Sequence, residues 1–165
     1  MKEHIFDTVV IGGGAAGLIS AGFSAARGAK TLLIERGNAL GRKLLITGGG
    51  RCNITNNITD FRLLADAFGK SGQIDVTDFE QPAFGKSGRF LYTAFSRFSP
   101  ADTIRFFADL GLKCVTEEGG RVFPEDDSAK SVVNALATFA RFNGVKIWTD
   151  CYVKSIQADD GRVTG

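Results

Sequence analysis

Three glycines in the stretch VVIGGGAAGLISA, namely Gly12, Gly14 and Gly17, spell G-x-G-x-x-G, and Glu35 follows 23 residues after Gly12. Each has a physical task in holding a dinucleotide. Gly12 makes the tight turn, Gly14 lets the backbone approach a pyrophosphate, and Gly17 permits close packing of helix on strand. Free N–H groups and the positive end of the helix dipole then face the diphosphate. A carboxylate at Glu35 accepts from both hydroxyls of an adenosine ribose and repels a 2′-phosphate. Three spaced glycines are weak evidence in a chain with 21 of them; the elements around them decide between a nucleotide site and an empty glycine turn.

Those elements are legible. IFDTVVI (Ile5 to Ile11) is short, apolar and β-branched, which predicts a buried strand cut off by glycine. Ala15 to Arg27 reads as a helix closed by Gly28, with Gly17, Ala21 and Ala25 forming a narrow face that can lie close to a sheet. KTLLIE, ending at Glu35, supplies a second buried strand. Strand, glycine turn, helix and strand make a right-handed βαβ unit with parallel strands. The fingerprint therefore sits where a dinucleotide site requires it.

A second triplet, Gly48, Gly49 and Gly50, lies in RGNALGRKLLITGGGRCNITNN, where a simple nucleotide-binding fold would begin its next helix. Glycine permits close backbone approach, while Arg42, Lys43 and Arg51 offer positive charge for a phosphate or an electron-rich flavin. FAD, longer than NAD(H), often needs such a segment after the ribose-binding acid. The plainer alternative is a solvated basic loop; the coincidence of glycines and charges beside a dinucleotide fingerprint favours the functional reading.

Farther along, DFRLLADAF is a short helix. FSPADTIRFFADLG is a helix with Ser99 as N-cap, Pro100 in its first turn, Asp102 three residues after the cap and Gly111 as its stop. LKCVTEEGGRVF predicts a hairpin about Gly119 and Gly120. Asp127 or Ser128 caps a helix that buries Val132, Val133, Leu136, Phe139 and Ala140 and ends at Asn143-Gly144. VKIWTDC is a third buried strand, and YVKSIQADDGRVTG starts a hairpin at Asp160-Gly161 whose second strand has just begun at Gly165. The expectation is a chain that forms the front of a longer protein.

Composition narrows the chemistry. With 165 residues, 44% of them hydrophobic, and a net charge of +2, the chain reads as an ordinary globular one of about one domain. No apolar run is long enough to span a bilayer, and MKEHIF lacks the regions of a signal peptide, which together predict a cytoplasmic protein without membrane partners. Cys52, Cys114 and Cys151 are too widely spaced for a disulfide framework or a zinc site, so no metal is expected. His4 is the only histidine, which leaves a His general base, a Ser-His-Asp triad or a His-rich metal site almost nothing to work with. FGKSG occurs at Phe68 and at Phe84, but Leu64 and Glu80 stand where a phosphate-binding loop needs its first glycine, so both copies read as surface turns. Nine of the fourteen phenylalanines fall between Phe61 and Phe107, a cluster better suited to packing than to shielding a cofactor. Acidic residues in FPEDDS suit a helix N-terminus.

DTVVIGGGAAGL, LLIERGNALGRKLLITGGGRCNITN, GRFLYTAFSRFSPADTIRFFADLG and EEGGRVFPEDDSAKSVVNAL together resemble bacterial FAD-dependent oxidoreductases of the aminoacetone-oxidase-like or BaiN-type (3-dehydro-bile-acid reductase-like) family. The resemblance spans nearly the whole chain, and GRKLLITGGGRCN is its most specific part. It implies an α/β Rossmann-like FAD-binding domain of the two-dinucleotide-binding-domain type, with a parallel central sheet and the start of a β-meander, truncated before any substrate domain. Residues 1–57 would be the βαβ unit and flavin loop, 58–127 a helical and hairpin excursion, and 128–165 the helix, third strand and hairpin. It further implies Gly12, Gly14, Ala15, Ala16 and Gly17 at the diphosphate, Glu35 at the ribose, its neighbour Arg36 among the cofactor-binding residues, and Val153 as a backbone contact to adenine. The loop Gly41, Arg42, Lys43, Thr47, Gly48, Gly49, Gly50, Arg51, Cys52 and Asn53 would run along the diphosphate and flavin, Cys52 as a backbone-defined loop residue. FAD is then the cofactor, a reduced nicotinamide, NAD(P)H, or the substrate itself the electron donor, and a small molecule the substrate. No residue is named as a catalytic acid or base, and no oligomeric state is implied. Two other readings stand beside this one: a non-catalytic FAD-binding fragment, and an RNA-modifying flavoprotein, which near-neutral charge and the lack of a basic stripe disfavour.

Overall fold

Thr8–Ile11 (β1) and Thr31–Ile34 (β2) pair in parallel, Thr8 beside Thr31 and Ile11 beside Ile34, and the helix Ala15–Ala26 (α1) connects them. The computed structural model describes residues 5–67 and 91–165, so both FGKSG copies lie outside the described residues. By its internal contacts the chain divides into two compact units, Met1–Gly50 with Ala129–Gly165, and Arg51–Ser128. The division falls inside the segment Gly41–Asn53.

In the first unit the third strand, Lys146–Trp148 (β6 in chain order), pairs in parallel with β2, giving the order β1-β2-β6. Among the described residues of this sheet only β2 has neighbours on both sides, and Thr31, Leu32 and Leu33 are buried. The prediction of two further buried strands needs correcting: β1 and β6 are edges. β1 begins at Thr8, not Ile5, and exposes Val9 and Ile11 at 50% and 53%, while Lys146 of β6 is exposed. The cause is the period of two, since Val10 turns toward α1 and its neighbours point away from it.

The helix Ala129–Phe142 (α5) packs on α1, burying Val132, Leu136 and Ala140 against a face that includes Leu18 and Ala21. The Phe139 ring lies against Gly22 and meets Phe23 edge-on at 5.1 Å. Each such fully buried leucine or valine contributes roughly 1.5–3 kcal/mol over an exposed one. The chain ends in the hairpin Ala158–Asp159 (β7) and Arg162–Val163 (β8), turned by Asp160 and Gly161, both at positive φ.

The second unit holds Thr55–Asn56 (β3), Cys114–Thr116 (β4) and Arg121–Pro124 (β5) in an antiparallel sheet ordered β3-β5-β4, with Val122 and Phe123 buried. The hairpin expected at Gly119-Gly120 joins β4 to β5 through a short 3₁₀ turn. Helices Phe61–Ala67 (α2) and Tyr92–Arg97 (α3) pack together, and Pro100–Asp109 (α4) lies against β3 and β4. α4 starts as its sequence requires: Ser99 Oγ accepts the Asp102 N–H at 3.2 Å while the Asp102 carboxylate accepts the Ser99 N–H at 2.9 Å. Among the described residues no helix is long and apolar enough to cross a membrane.

Candidate functional site

The turn between β1 and α1 is built by glycine in three different ways. Gly12 adopts φ +103°, a left-handed value open to few residues but glycine, and donates its N–H to the Ile34 carbonyl at 2.7 Å. A Cβ on Gly17 would overlap the Gly12 carbonyl oxygen, so α1 can cross the end of β1 this closely only with glycine there. Gly14 is the N-cap of α1, and a Cβ placed on it, or on Gly12, meets nothing within 4 Å. No side chain caps this helix, and its first turn holds no acid. The N–H groups of Ala15, Ala16 and Gly17 have no intrahelical partner by the geometry of a first turn. A diphosphate fits both the space over Gly12 and Gly14 and the polarity of those donors.

Gly13 is the glycine that the spacing rule leaves unexplained. It is buried, and a Cβ there would stand 2.5 Å from Leu40 Cδ2 and 3.1 Å from Glu35 Cβ. Its N–H donates to Glu35 Oε2 at 2.7 Å and its carbonyl accepts the Gly41 N–H at 2.8 Å. The segment after β2 thus folds back over the first triplet. The sequence carries a signal for this, a third consecutive glycine where the fingerprint asks for any residue.

Glu35 also accepts the Gly37 N–H through Oε1 at 2.8 Å. The bonds from Gly37 and Gly13, against a smaller opposing effect of burial, and then the charges of Arg36 and Arg42, hold its carboxyl below the usual carboxylate range. It is an anion at neutral pH. Beyond the ends of β2 and β6 the pairing continues: Glu35 N–H donates to the Trp148 carbonyl at 2.8 Å, Asp150 N–H to that of Gly37 at 2.9 Å, and Cys151 N–H to that of Glu35 at 3.1 Å. This extension sets Cys151, Tyr152 and Val153 alongside Glu35. Together with Ile11, Gly12, Ile34 and Arg36 they line one cleft. Ile11, Ile34, Cys151 and Tyr152 are wall residues that the sequence reading did not single out.

The second triplet takes another form. Gly41 is pressed against α5, where a Cβ would lie 2.6 Å from Val133 Cγ2. Arg42 reaches back beside Gly37, Lys43 is exposed, and Thr47 donates its hydroxyl to the Leu44 carbonyl at 2.8 Å. Gly48, Gly49 and Gly50 follow in succession at φ +55°, +66° and +91°, Gly48 and Gly49 exposed.

Arg51, Cys52 and Asn53 belong to the second unit. Arg51 does not stand as a loose cation: its guanidinium bonds Glu117 at 2.6 Å and Asp127 at 3.0 Å and covers the Phe123 ring at 4.0 Å. Both carboxylates, against a smaller effect of burial, raise its pKa further, and Arg51 in turn lowers that of Glu117. Cys52 is buried at φ +62°. Asn53, with its amide oriented to suit its surroundings, donates to the Thr55 and Val122 carbonyls at 2.9 and 3.2 Å. The first unit therefore gathers Gly12, Gly14, Ala15, Ala16, Gly17, Glu35, Arg36 and Val153 about one turn and cleft.

Residues 6–165 match the family described as HI0933-like protein Rossmann domain. The chain is 33% identical over 151 residues to the 3-dehydro-bile acid delta(4,6)-reductase of Clostridium scindens, covering 90% of this chain and 32% of that protein. It is 32% identical over 160 residues to the ribosomal RNA dihydrouridine synthase of Escherichia coli K12, covering 96% of this chain and 35% of the relative. The chain spans about a third of the length of these curated relatives. Among solved structures, 3-ketosteroid-delta4-(5alpha)-dehydrogenase from Rhodococcus jostii RHA1 shares the fold at a TM-score of 0.59 and 18% identity, over 99% of this chain and 41% of that one.

Proposed function

We propose, since the chain belongs to the HI0933-like Rossmann-domain family, that it is the FAD-binding part of a flavin-dependent oxidoreductase. One observation carries the reading: open space over Gly12 and Gly14 at an uncapped helix N-terminus, with an ionised Glu35 and the Val153 backbone in the adjoining cleft. The residues suit the AMP half of FAD. The N–H groups of Ala15, Ala16 and Gly17 would hold the diphosphate, Glu35 and Arg36 the ribose, and the backbone at Val153 the adenine. Arg42, Lys43, Thr47 and the triplet Gly48–Gly50 would continue along the cofactor.

Bound there, the isoalloxazine would supply hydride chemistry that no side chain of this protein supplies. The chain's own part is to bind, orient and tune. A delta(4,6)-reductase acting on a 3-dehydro bile acid and a synthase of dihydrouridine both saturate a carbon–carbon double bond conjugated to a carbonyl, so we assign this class of acceptor, with NAD(P)H as donor, and a cytoplasmic location. A small enone is the leading substrate. The second reading, a uracil base of ribosomal RNA, is favoured by the 32% identity over 96% of the chain to the synthase, and opposed by a net charge of only +2.

Purified protein should carry flavin absorbance, bleach with NAD(P)H without oxygen, and recover its colour on adding a 3-oxo-4-ene steroid. Recovery only with a uridine-containing ribosomal RNA fragment selects the second reading. Flavin that binds but does not bleach leaves a FAD-binding module without turnover, and colourless protein that takes up no FAD overturns the proposal.

A further inference from the structure

Three consecutive glycines have no intrinsic preference that fixes their peptide planes, and ordering them costs more backbone entropy than any other sequence. Something outside the triplet must set them. The peptide linking Gly12 to Gly13 is held through its N–H by Glu35 Oε2 at 2.7 Å, and the one linking Gly13 to Gly14 is held through its carbonyl by the Gly41 N–H at 2.8 Å. A trans peptide is planar, with N–H and C=O antiparallel. Fixing the Gly13 N–H therefore directs the Gly12 carbonyl, the atom that α1 crosses at Gly17, and fixing the Gly13 carbonyl directs the Gly14 N–H.

Glu35 is itself held from the far side by the Gly37 N–H at 2.8 Å, and Leu40, buried against Gly13, closes the space into which the turn would otherwise relax. Each carboxylate oxygen keeps a second lone pair for a ribose hydroxyl. We infer that Glu35 is a positioning residue for the glycine turn: it holds the Gly12–Gly13 peptide in the orientation that leaves the α1 N-terminus open to a diphosphate, independently of any hydroxyl it meets. This rests on the nucleotide reading of the cleft. Glutamine cannot replace it, because an amide offers one acceptor oxygen where two N–H donors converge.

The test compares ADP with 2′,3′-dideoxy-ADP, which lacks both hydroxyls, by calorimetry on the full chain and on Glu35→Gln. A carboxylate acting only through the ribose leaves dideoxy-ADP binding unchanged on substitution, or tightens it, because a negative charge near the diphosphate is lost. A positioning role weakens dideoxy-ADP about tenfold, and ADP by more; unchanged or tighter dideoxy-ADP overturns the inference. Ser99→Ala, a destabilising change in the other unit, should leave both affinities alone. If Glu35→Gln does not fold, amide exchange in the unsubstituted protein decides: protected Gly13 and Gly37 N–H groups support the inference, and exchange at the free-peptide rate overturns it. Unsubstituted protein that binds neither nucleotide defeats the nucleotide reading, while the exchange measurement still judges the role of Glu35.

Discussion

Gly13 and Gly41 are joined backbone to backbone, the N–H of Gly41 donating to the Gly13 carbonyl at 2.8 Å. Through this bond the start of the second glycine segment braces the first. The contact leaves no room for a side chain at Gly13. Gly13→Ala should lower stability by about 1–3 kcal/mol, the usual cost of overpacking, read from the denaturant midpoint. Adding Leu40→Ala should recover part of that loss, since Leu40 Cδ2 is the nearest atom to the new methyl, at 2.5 Å.

Gly14 and Gly17 should separate binding from folding. An alanine at Gly14 meets open space and needs only the extended backbone already present there, φ −82° and ψ −172°. Its stability cost should stay near or under about 1 kcal/mol, while affinity for ADP falls sharply as the methyl enters the diphosphate space. Gly17→Ala drives a methyl into the Gly12 carbonyl, which is backbone and cannot rotate away. Its cost should reach about 3 kcal/mol. Thermal unfolding beside ADP calorimetry checks both.

Acid should weaken both units. Glu35, held down by the Gly37 and Gly13 N–H groups, Glu117, held down by Arg51, and Asp102, held down by Ser99, all have folded-state pKa values below their ordinary ones. Such groups contribute stability above the ordinary carboxylate pKa and lose it as pH falls through the depressed value. Melting temperature should drop as pH falls below about 4.5, and Glu35→Gln should flatten that slope.

Arg51 should behave as structure. Its planar guanidinium meets Glu117 through two nitrogens and stands over the Phe123 ring at 4.0 Å, a geometry that lysine cannot copy. Arg51→Lys should lower the melting temperature despite conserving charge, and Phe123→Leu should make the two residues' losses less than additive in a double-mutant cycle.

Local chemistry was readable where neighbours in sequence decide it. The capping box at Ser99 and Asp102, the turn at Asp160-Gly161 and the βαβ order follow from residues within a few positions of one another. Partners distant in sequence were not readable. Arg51 looked like free charge for a cofactor because Glu117 and Asp127 lie more than sixty residues away. Val9 and Ile11 looked buried because an apolar run carries no record of whether both faces of its strand are covered. Gly13 drew no assignment from the sequence because only the folded loop brings Leu40 and Glu35 onto it.

Gly48 and Gly49 stand in the mirror image of the usual helical region, and Gly50 follows at positive φ. Chirality inverts the ordinary rules of substitution at these positions: L-alanine opposes the local handedness, whereas D-alanine introduced by chemical ligation should rigidify the segment without reshaping it. Among encoded residues, asparagine and aspartate are the ones that enter this region most readily, as Asp160 does at φ +44° in the terminal hairpin.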